Sequence, residues 1–253
     1  MLQHQLFGDL TRQFLAGAGI TKGMKVLDLG SGAGDLSLTL AELVGPQGLV
    51  VGVDMNADIL ESARRRVEIA GWVNVEFRHG DIHEVDTGDS FDAVVGRWVL
   101  MYVPDPAQLL RDVSSRLRPG GIVAFQESDL QDPPRPYPPV PLHEQVLRWT
   151  APPPGAPGPD VAMGLKLFQT YLAAGLSAPQ LRLDAPIGGG RDWPGYAYLA
   201  RTVRSLLPFL EKVGAVTAAE IDIDTLEDRL RDEVVAVNGI QILPSLIGAW
   251  TRT

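Results

Sequence analysis

The sequence predicts an α/β fold: a doubly wound, mostly parallel sheet of seven strands, extended by helical and proline-rich cap insertions. Short apolar runs alternate with segments of helical periodicity over residues 25–128. These runs lack the strict polar–apolar alternation of a half-exposed sheet, which indicates that helices cover both of its faces. Two further apolar runs, at 180–186 and 245–253, bring the predicted strands to seven.

The elements are predicted in chain order from these patterns. Strands one to five are predicted at residues 25–30, 48–54, 75–81, 91–97 and 121–128. Helices are predicted at 5–18, 35–45, 56–71 and 105–121, each ending at or beside a glycine. The C-terminal half is predicted to contain helices within 142–149, 163–176, 193–214 and 224–239, with a kink or break at Pro208.

Three regions are predicted along the chain. Residues 1–24 form a helical N-terminal cover, residues 25–128 form the ligand-binding core, and residues 129–253 contain the cap insertions with the last two strands of the same sheet. Residues 133–159 contain eleven of the twenty prolines, so neither a core strand nor a long helix is expected there. Ligands in such sheets bind beyond the carboxyl ends of the strands, where the cap would cover them.

Composition narrows the possible partners. The formal net charge of −9 leaves no overall basic surface, so we expect a small-molecule partner and no nucleic acid. The densest basic run, Arg64 to Arg66, is accompanied by Glu61 and Glu68 on a predicted helix, which indicates a solvated helix face. The absence of cysteine excludes disulfides, thiolate metal sites and thiol nucleophiles, and no metal site is predicted.

Targeting signals are not apparent in the sequence. There is no apolar run of about 18 residues and no basic segment followed by an apolar one at the N-terminus. We therefore expect a cytoplasmic protein without a membrane partner, either a monomer or a homodimer.

The segment "VLDLGSGAGDL", residues 26–36, leads from the first strand into a helix. Its glycines are at 30, 32 and 34, whereas a dinucleotide loop of the form G-x-G-x-x-G would have its third glycine where Asp35 stands. A carboxylate there would repel a diphosphate, and Asp28 adds a second acid. The loop thus favours a ligand with positive character and no phosphate, and Asp35 is expected to be the helix N-cap.

Together with four later motifs, this loop resembles motif I of the class I S-adenosylmethionine-dependent methyltransferases. In order along the chain, "VVGVD" ends in Asp54, "RHGDI" contains Asp81, "FDAVVGRWVLMYVPDP" covers the fourth strand and "LRPGG" precedes the fifth. The resemblance covers about residues 8–128 and is similar to the branch of quinone-biosynthesis and bacterial secondary-metabolite enzymes. It implies a Rossmann-like methyltransferase fold with S-adenosylmethionine as cofactor and S-adenosylhomocysteine as product.

The resemblance also assigns roles around the cofactor. Asp28 would take the ammonium group, Asp54 the ribose hydroxyls and Asp81 the adenine amino group. Arg97 and Trp98 would lie at the cofactor's edge. The full predicted set is Asp28, Gly30, Ser31, Gly32, Gly34, Asp54, Met55, Gly80, Asp81, Ile82, Arg97 and Trp98.

Methyl transfer is an in-line displacement at carbon, so alignment and exclusion of water can supply much of the rate. A base helps when the acceptor is a hydroxyl or a carbon acid. The candidates are Glu127 at the end of strand five, His143 in the cap and His4 on the first helix. The candidates for lining the acceptor pocket are Met101, Tyr102, Tyr137, Trp193 and Tyr196.

The expected function is methyl transfer to an O, N or C atom of a small, apolar or aromatic specialised metabolite. Three alternatives stay open. The cofactor site could couple methylation to a cyclisation, or the fold could serve as a non-catalytic subunit. An NAD(P)-dependent reductase is opposed by the loop spacing and by the lack of a Tyr-x-x-x-Lys pair.

Overall fold

The computed structural model describes residues 2–83, 90–131, 133–150, 158–212, 214 and 216–253. Its strands are β1 Lys25–Leu29, β2 Leu49–Asp54, β3 Val75–His79, β4 Phe91–Arg97, β5 Leu117–Ser128, β6 Gln180–Asp184, β7 Ile187–Gly189, β8 Ile240–Ile242 and β9 Leu246–Arg252. Its helices are α1 Leu2–Ala18, α2 Asp35–Val44, α3 Ala57–Ala70, α4 Pro106–Ser114, α5 Pro141–Thr150, α6 Met163–Ala173, α7 Gly195–Lys212, α8 Ala218–Ile221 and α9 Leu226–Ala236. A 3₁₀ turn, Leu100–Tyr102, follows β4.

Seven strands form one sheet in the order β3-β2-β1-β4-β5-β9-β6. Strands β1 to β5 are parallel, and β9 lies antiparallel between β5 and β6. The strand order reverses between β1 and β4, so a ligand crevice is expected at the carboxyl ends of these two strands. The predicted mostly parallel sheet of seven strands is confirmed.

Several boundaries differ from the prediction. β5 begins at Leu117 because an irregularity in its pairing with β4 lets Leu117 oppose Phe91 before the Pro-Gly-Gly segment. Of the predicted kink or break at Pro208, the break is wrong, since α7 continues through this residue to Lys212 and buries Leu210 in the cap. The two-stranded sheet of β7 and β8 was not predicted, because three-residue strands show no periodicity.

Helix α1 links the sheet to the cap. Its Phe14 packs on the sheet with Ala124 and Leu40, while its Phe7 belongs to the apolar cluster of the cap. The close approach to β9 requires Gly248, because a Cβ there would lie 2.4 Å from the Phe14 ring. α1 therefore extends from the face of the sheet to the carboxyl end of β4, where Phe7 contacts the Trp98 ring. No helix in the described ranges is long and apolar enough to cross a membrane.

Candidate cofactor and acceptor site

The glycine loop after β1 is a tight turn whose backbone conformation favours glycine. Gly30, Gly32 and Gly34 have φ values of 61°, 51° and 81°, which side chains rarely adopt. A Cβ on Gly30 would also lie 2.5 Å from a Val99 methyl group. The Ser31 amide donates to the Val53 carbonyl at 3.0 Å, which ties the loop to the end of β2.

Asp54 ends β2 and faces this loop. One carboxylate oxygen accepts from the Gly32 amide and the other from the Asn56 amide, both at 2.9 Å. Asn56 in turn caps α3 through its side chain. Asp54 thus lies between the glycine loop and the start of α3, where its oxygens could receive ribose hydroxyls.

Asp28 is a fully buried carboxylate in β1. Ser37 donates to its Oδ2 at 2.5 Å, and its Oδ1 has no hydrogen-bond partner. Burial raises the pKa of Asp28 to about 7, although the Ser37 bond and the charge of Arg97 act in the opposite direction. An unsatisfied, buried acceptor at this edge fits the ammonium group of S-adenosylmethionine.

Asp35 is not the helix N-cap, so that prediction is wrong. Gly34 occupies the cap position in a left-handed conformation, and Asp35 is the first helical residue. Arg66 of α3 donates to Asp35 at 2.7 Å and to the Ala33 carbonyl at 2.6 Å. Burial alone would raise the pKa of Asp35, but the hydrogen bond and charge of Arg66 outweigh it and lower the pKa. Arg66 of α3 therefore supports the glycine loop through the Asp35 carboxylate and the Ala33 carbonyl.

Arg97 and Trp98 connect β4 to α1. Arg97 is 9% exposed and donates to the Thr11 hydroxyl at 3.1 Å, while its guanidinium carbon lies 4.8 Å from the Trp98 ring centre. Trp98 has φ of 59° and donates through its indole to the Ser128 hydroxyl at 2.8 Å. Phe7 of α1 packs edge-on against the Trp98 ring at 5.2 Å. Burial lowers the pKa of Arg97, and the carboxylates of Asp35 and Asp28 oppose this effect.

Glu127, near the end of β5, accepts backbone hydrogen bonds from the turn after β4. Its Oε1 accepts from the Val99 and Leu100 amides at 2.9 and 2.8 Å, and its Oε2 has no partner. The side chain is fully buried, and this burial raises its pKa to about 7 despite the backbone bonds. The carboxylate therefore holds the turn that includes Trp98.

The residues predicted for the adenine end lie at the carboxyl ends of β2 and β3. The Gly80 amide donates to the Asp54 carbonyl at 3.1 Å, and Asp81 accepts from the His83 amide at 2.8 Å. Ile82 packs against the sheet core. Met55 is 67% exposed, and its carbonyl lies 3.0 Å from a ring nitrogen of His79.

The two histidines proposed as bases lie on α5 and α1. His143 on α5 is fully buried in the cap, and neither ring nitrogen has a partner. Burial lowers its pKa to about 4, so the ring is neutral at pH 7. His4 is half-buried in the first turn of α1, with its ring against Gly8.

The five residues proposed to line the acceptor pocket are not brought together as a group. Met101 is buried in the sheet core, whereas Tyr102 and Tyr137 are 67% and 74% exposed. Trp193 donates to Gln241 at 2.8 Å within the cap, and Tyr196 is buried there with an unpartnered hydroxyl. Arg12 of α1 is paired with Glu42 on the surface.

Four residues of the site were missed in the sequence. Thr11 and Ser37 are polar residues on the apolar faces of α1 and α2, and Gln126 interrupts the apolar run of β5. Arg66 was treated as part of a solvated run, although it supports the glycine loop. The signal available for the first three was a polar residue at a position whose periodicity predicts burial.

Comparison with known proteins matches the part of the chain that contains the glycine loop and the strand-end acids. Residues 20–148 match a family model described as "Methyltransferase domain". The chain is 40% identical over 121 residues to an arsenite methyltransferase of Aquipseudomonas alcaligenes, a match that covers 45% of this chain and 35% of that protein. It is 41% identical over 106 residues to a demethylmenaquinone methyltransferase of Listeria innocua, which covers 42% of this chain and 45% of that protein. The chain thus spans less than half the length of these curated relatives.

Solved structures share the fold over a larger part of the chain. The [4+2]-cyclase SpnF is 17% identical with a TM-score of 0.58, covering 97% of this chain and 81% of that chain. A SAM-dependent methyltransferase from Aquifex aeolicus is 20% identical with a TM-score of 0.55, covering 73% of this chain and 86% of that chain. The glycine loop, the strand-end acids and the family match agree, and the chain belongs to the class I S-adenosylmethionine-dependent methyltransferases.

Proposed function

We propose that this chain transfers a methyl group from S-adenosylmethionine to an O, N or C atom of a small, neutral, apolar or aromatic acceptor. The observation that carries the proposal is the pair of carboxylates around the glycine loop. Asp28 has an unpartnered buried oxygen, and Asp54 bridges the loop to α3. This arrangement suits a cofactor with an ammonium group and a ribose but no phosphate.

The chain's own residues would bind and orient the reactants. Asp28 would accept from the ammonium, Asp54 from the ribose hydroxyls and Asp81 from the adenine amino group. Arg97 would donate to the cofactor carboxylate. When bound, S-adenosylmethionine supplies an activated methyl group on a sulfonium, so alignment in a site that excludes water is the main requirement.

Glu127 acts in this proposal as a positioning residue. Its Oε1 is committed to two backbone amides of the turn that includes Trp98. His143 and His4 are the remaining candidates for proton removal from a hydroxyl acceptor.

The cap supports a neutral acceptor. In the described part of the C-terminal half, the buried polar side chains other than tyrosines are His143, Thr170 and Gln241, and burial keeps His143 uncharged at pH 7. Phe7 packs on both the Trp98 ring and the Tyr198 ring, at 5.2 and 5.3 Å, and so places aromatic surface between the β4 turn and the cap. A charged acceptor would lose its hydration there without a compensating partner.

The test is transfer of a labelled methyl group from S-adenosylmethionine to matched acceptors: 2-naphthol, 2-naphthylamine, 2-naphthoate and sarcosine. We expect transfer to a neutral bicyclic acceptor and little to the two charged ones. Transfer restricted to 2-naphthoate or sarcosine would contradict the proposal. Stabilisation by NADP and none by S-adenosylhomocysteine would contradict the cofactor assignment, and a rearranged product without added methyl would favour cyclisation.

A further inference from the structure

Gln126 of β5 faces α1 on the inner side of the sheet. Side chains two apart on a strand share a face. Ala124 belongs to the apolar cluster beneath α1 and α2, and Ser128 reaches the Trp98 indole. Phe125, between them, belongs to the opposite cluster. The Gln126 amide is thus on the face that α1 covers.

The side-chain amide of Gln126 is buried without any hydrogen bond. The residue is 1% exposed, and neither Oε1 nor Nε2 has a partner. Asn74, another buried amide, donates instead to the Gly45 and Gly48 carbonyls at 2.8 and 3.0 Å and so joins two turns. An amide that is desolvated and unpaired opposes folding. Support of the fold therefore explains Asn74 but not Gln126.

The neighbours of Gln126 are residues of the candidate site. Arg97 is its partner in the register of β4 and β5. The backbone N–H of Trp98 donates to the backbone carbonyl of Gln126 at 2.9 Å. On the other flank, Gly248 of β9 presents no side chain. Since β5 lies beyond β4 as seen from the glycine loop, Gln126 is one strand further from that loop than Arg97.

The charged side chain that is paired with Gln126 in the sheet is Arg97. Arg97 interacts with the carboxylates of Asp28 and Asp35. The Gln126 amide adds one acceptor and two donor hydrogens but no charge. Such a group pairs fully with a ligand group that both donates and accepts, such as a hydroxyl or a carboxamide, and it cannot compensate a buried ionic group.

We propose that Gln126 binds a neutral hydroxyl or carboxamide group of the methyl acceptor and thereby selects acceptors that carry one. This inference rests on the proposed function, since the group that Gln126 binds is taken to belong to the methyl acceptor. Replacement by leucine keeps a similar size and removes the hydrogen bonds. A site built to hydrogen-bond a substrate group discriminates strongly against an analogue that lacks it.

The test compares binding of 2-naphthol and naphthalene to the full chain loaded with S-adenosylhomocysteine. Wild type is expected to prefer 2-naphthol by about tenfold or more in Kd. Gln126→Leu should lose this preference, with unchanged affinity for S-adenosylhomocysteine and an unchanged or higher Tm. Gln108→Leu, which alters an exposed amide on α4, should keep the preference.

Three results would overturn the inference. The first is an equal preference for 2-naphthol in wild type and Gln126→Leu. The second is tighter binding of 2-naphthoate than of 2-naphthol to wild type. The third is a loss of S-adenosylhomocysteine affinity in Gln126→Leu, which would assign Gln126 to the cofactor. Labelled methyl transfer is measured separately: a Gln126-dependent preference without transfer would support the binding site and contradict the proposed function.

Discussion

The two halves of the chain bury different kinds of polar group. Among the described residues, the buried ionisable side chains before residue 129 are Asp28, Arg97 and Glu127, and all three lie at or near the carboxyl ends of parallel strands. The described part after residue 129 buries neutral groups, with His143 uncharged at pH 7. The difference fits the proposed function, because a cofactor with charged groups needs charged partners and the neutral acceptor that we propose does not.

The comparisons with known proteins follow the same division. The curated relatives match 42–45% of this chain, and the family model ends at residue 148. The [4+2]-cyclase SpnF, at 17% identity, shares the fold over 97% of this chain and so extends into the cap. Cofactor binding is thus the general property of the family, and we expect acceptor choice to depend on the residues of β5 and the cap.

The largest expected effect comes from the buried neutral histidine of the cap. The pKa of His143 is about 4 in the folded chain and 6.5 as a model value, so the unfolded chain binds more protons between these pH values. The free energy of unfolding should therefore be highest, as far as His143 is concerned, above pH 6.5. It should decrease by about 3 kcal/mol as the pH falls to 4. Urea unfolding of wild type and His143→Leu at pH 7 and pH 4.5 measures this. A parallel loss in both proteins would show that His143 does not bury a neutral ring.

Asp54 should contribute the next largest effect, on the cofactor half. Asp54→Ala removes the acceptor for the ribose hydroxyls and for the Gly32 amide. We expect the Kd for S-adenosylhomocysteine to rise by about 1–3 kcal/mol, roughly 5- to 150-fold. Calorimetric titration measures it. The control is Asp92→Asn, because Asp92 bonds the Lys25 amide at the opposite end of β1 and should affect stability only. An unchanged Kd for Asp54→Ala would remove Asp54 from the site.

Asp28 should make cofactor affinity depend on pH. Its pKa is about 7 in the unliganded chain, with Arg97 and Asp54 as its charged neighbours. An ammonium group at its free oxygen favours the ionised form, so binding releases a proton below pH 7. Affinity for S-adenosylhomocysteine should therefore fall as pH decreases, by up to about tenfold per pH unit. Asp28→Asn should show a flat profile between pH 5.5 and 7, and a flat wild-type profile would exclude this role.

Asp35 should have the smallest effect. Its ion pair with Arg66 is partly solvated, since the two side chains are 14% and 27% exposed. Asp35→Asn is expected to lower the free energy of unfolding by less than about 1 kcal/mol and to leave the Kd for S-adenosylhomocysteine unchanged. A large loss of cofactor affinity would place Asp35 in direct contact with the cofactor, and Asp35 would then bind the ligand in addition to supporting the loop.

The sequence predicted the core better than the cap because the signals of the core are local. The strand that ends at Leu29, the glycines with positive φ and the acid at Asp54 form one short pattern each. The cap elements β7 and β8 pair across about fifty residues, and no local pattern specifies such a pairing. The neighbours of the proposed lining residues could not be predicted for the same reason, since aromatic residues at helical spacing indicate burial but not the residue they pack against.

By itself the sequence determined the order of strands and helices over residues 25–128, the glycine loop and the family to which the chain belongs. These depend on periodicity and on motifs contained within single β–α units. Only the tertiary structure decided that Arg66 and not the helix end holds Asp35, that Glu127 bonds the turn after β4, and that Gln126 is buried without a partner. The physical reason is that each of these depends on strand register or helix packing. Register and packing bring residues that are far apart in the chain within hydrogen-bonding distance, or leave a buried polar group without a hydrogen-bond partner.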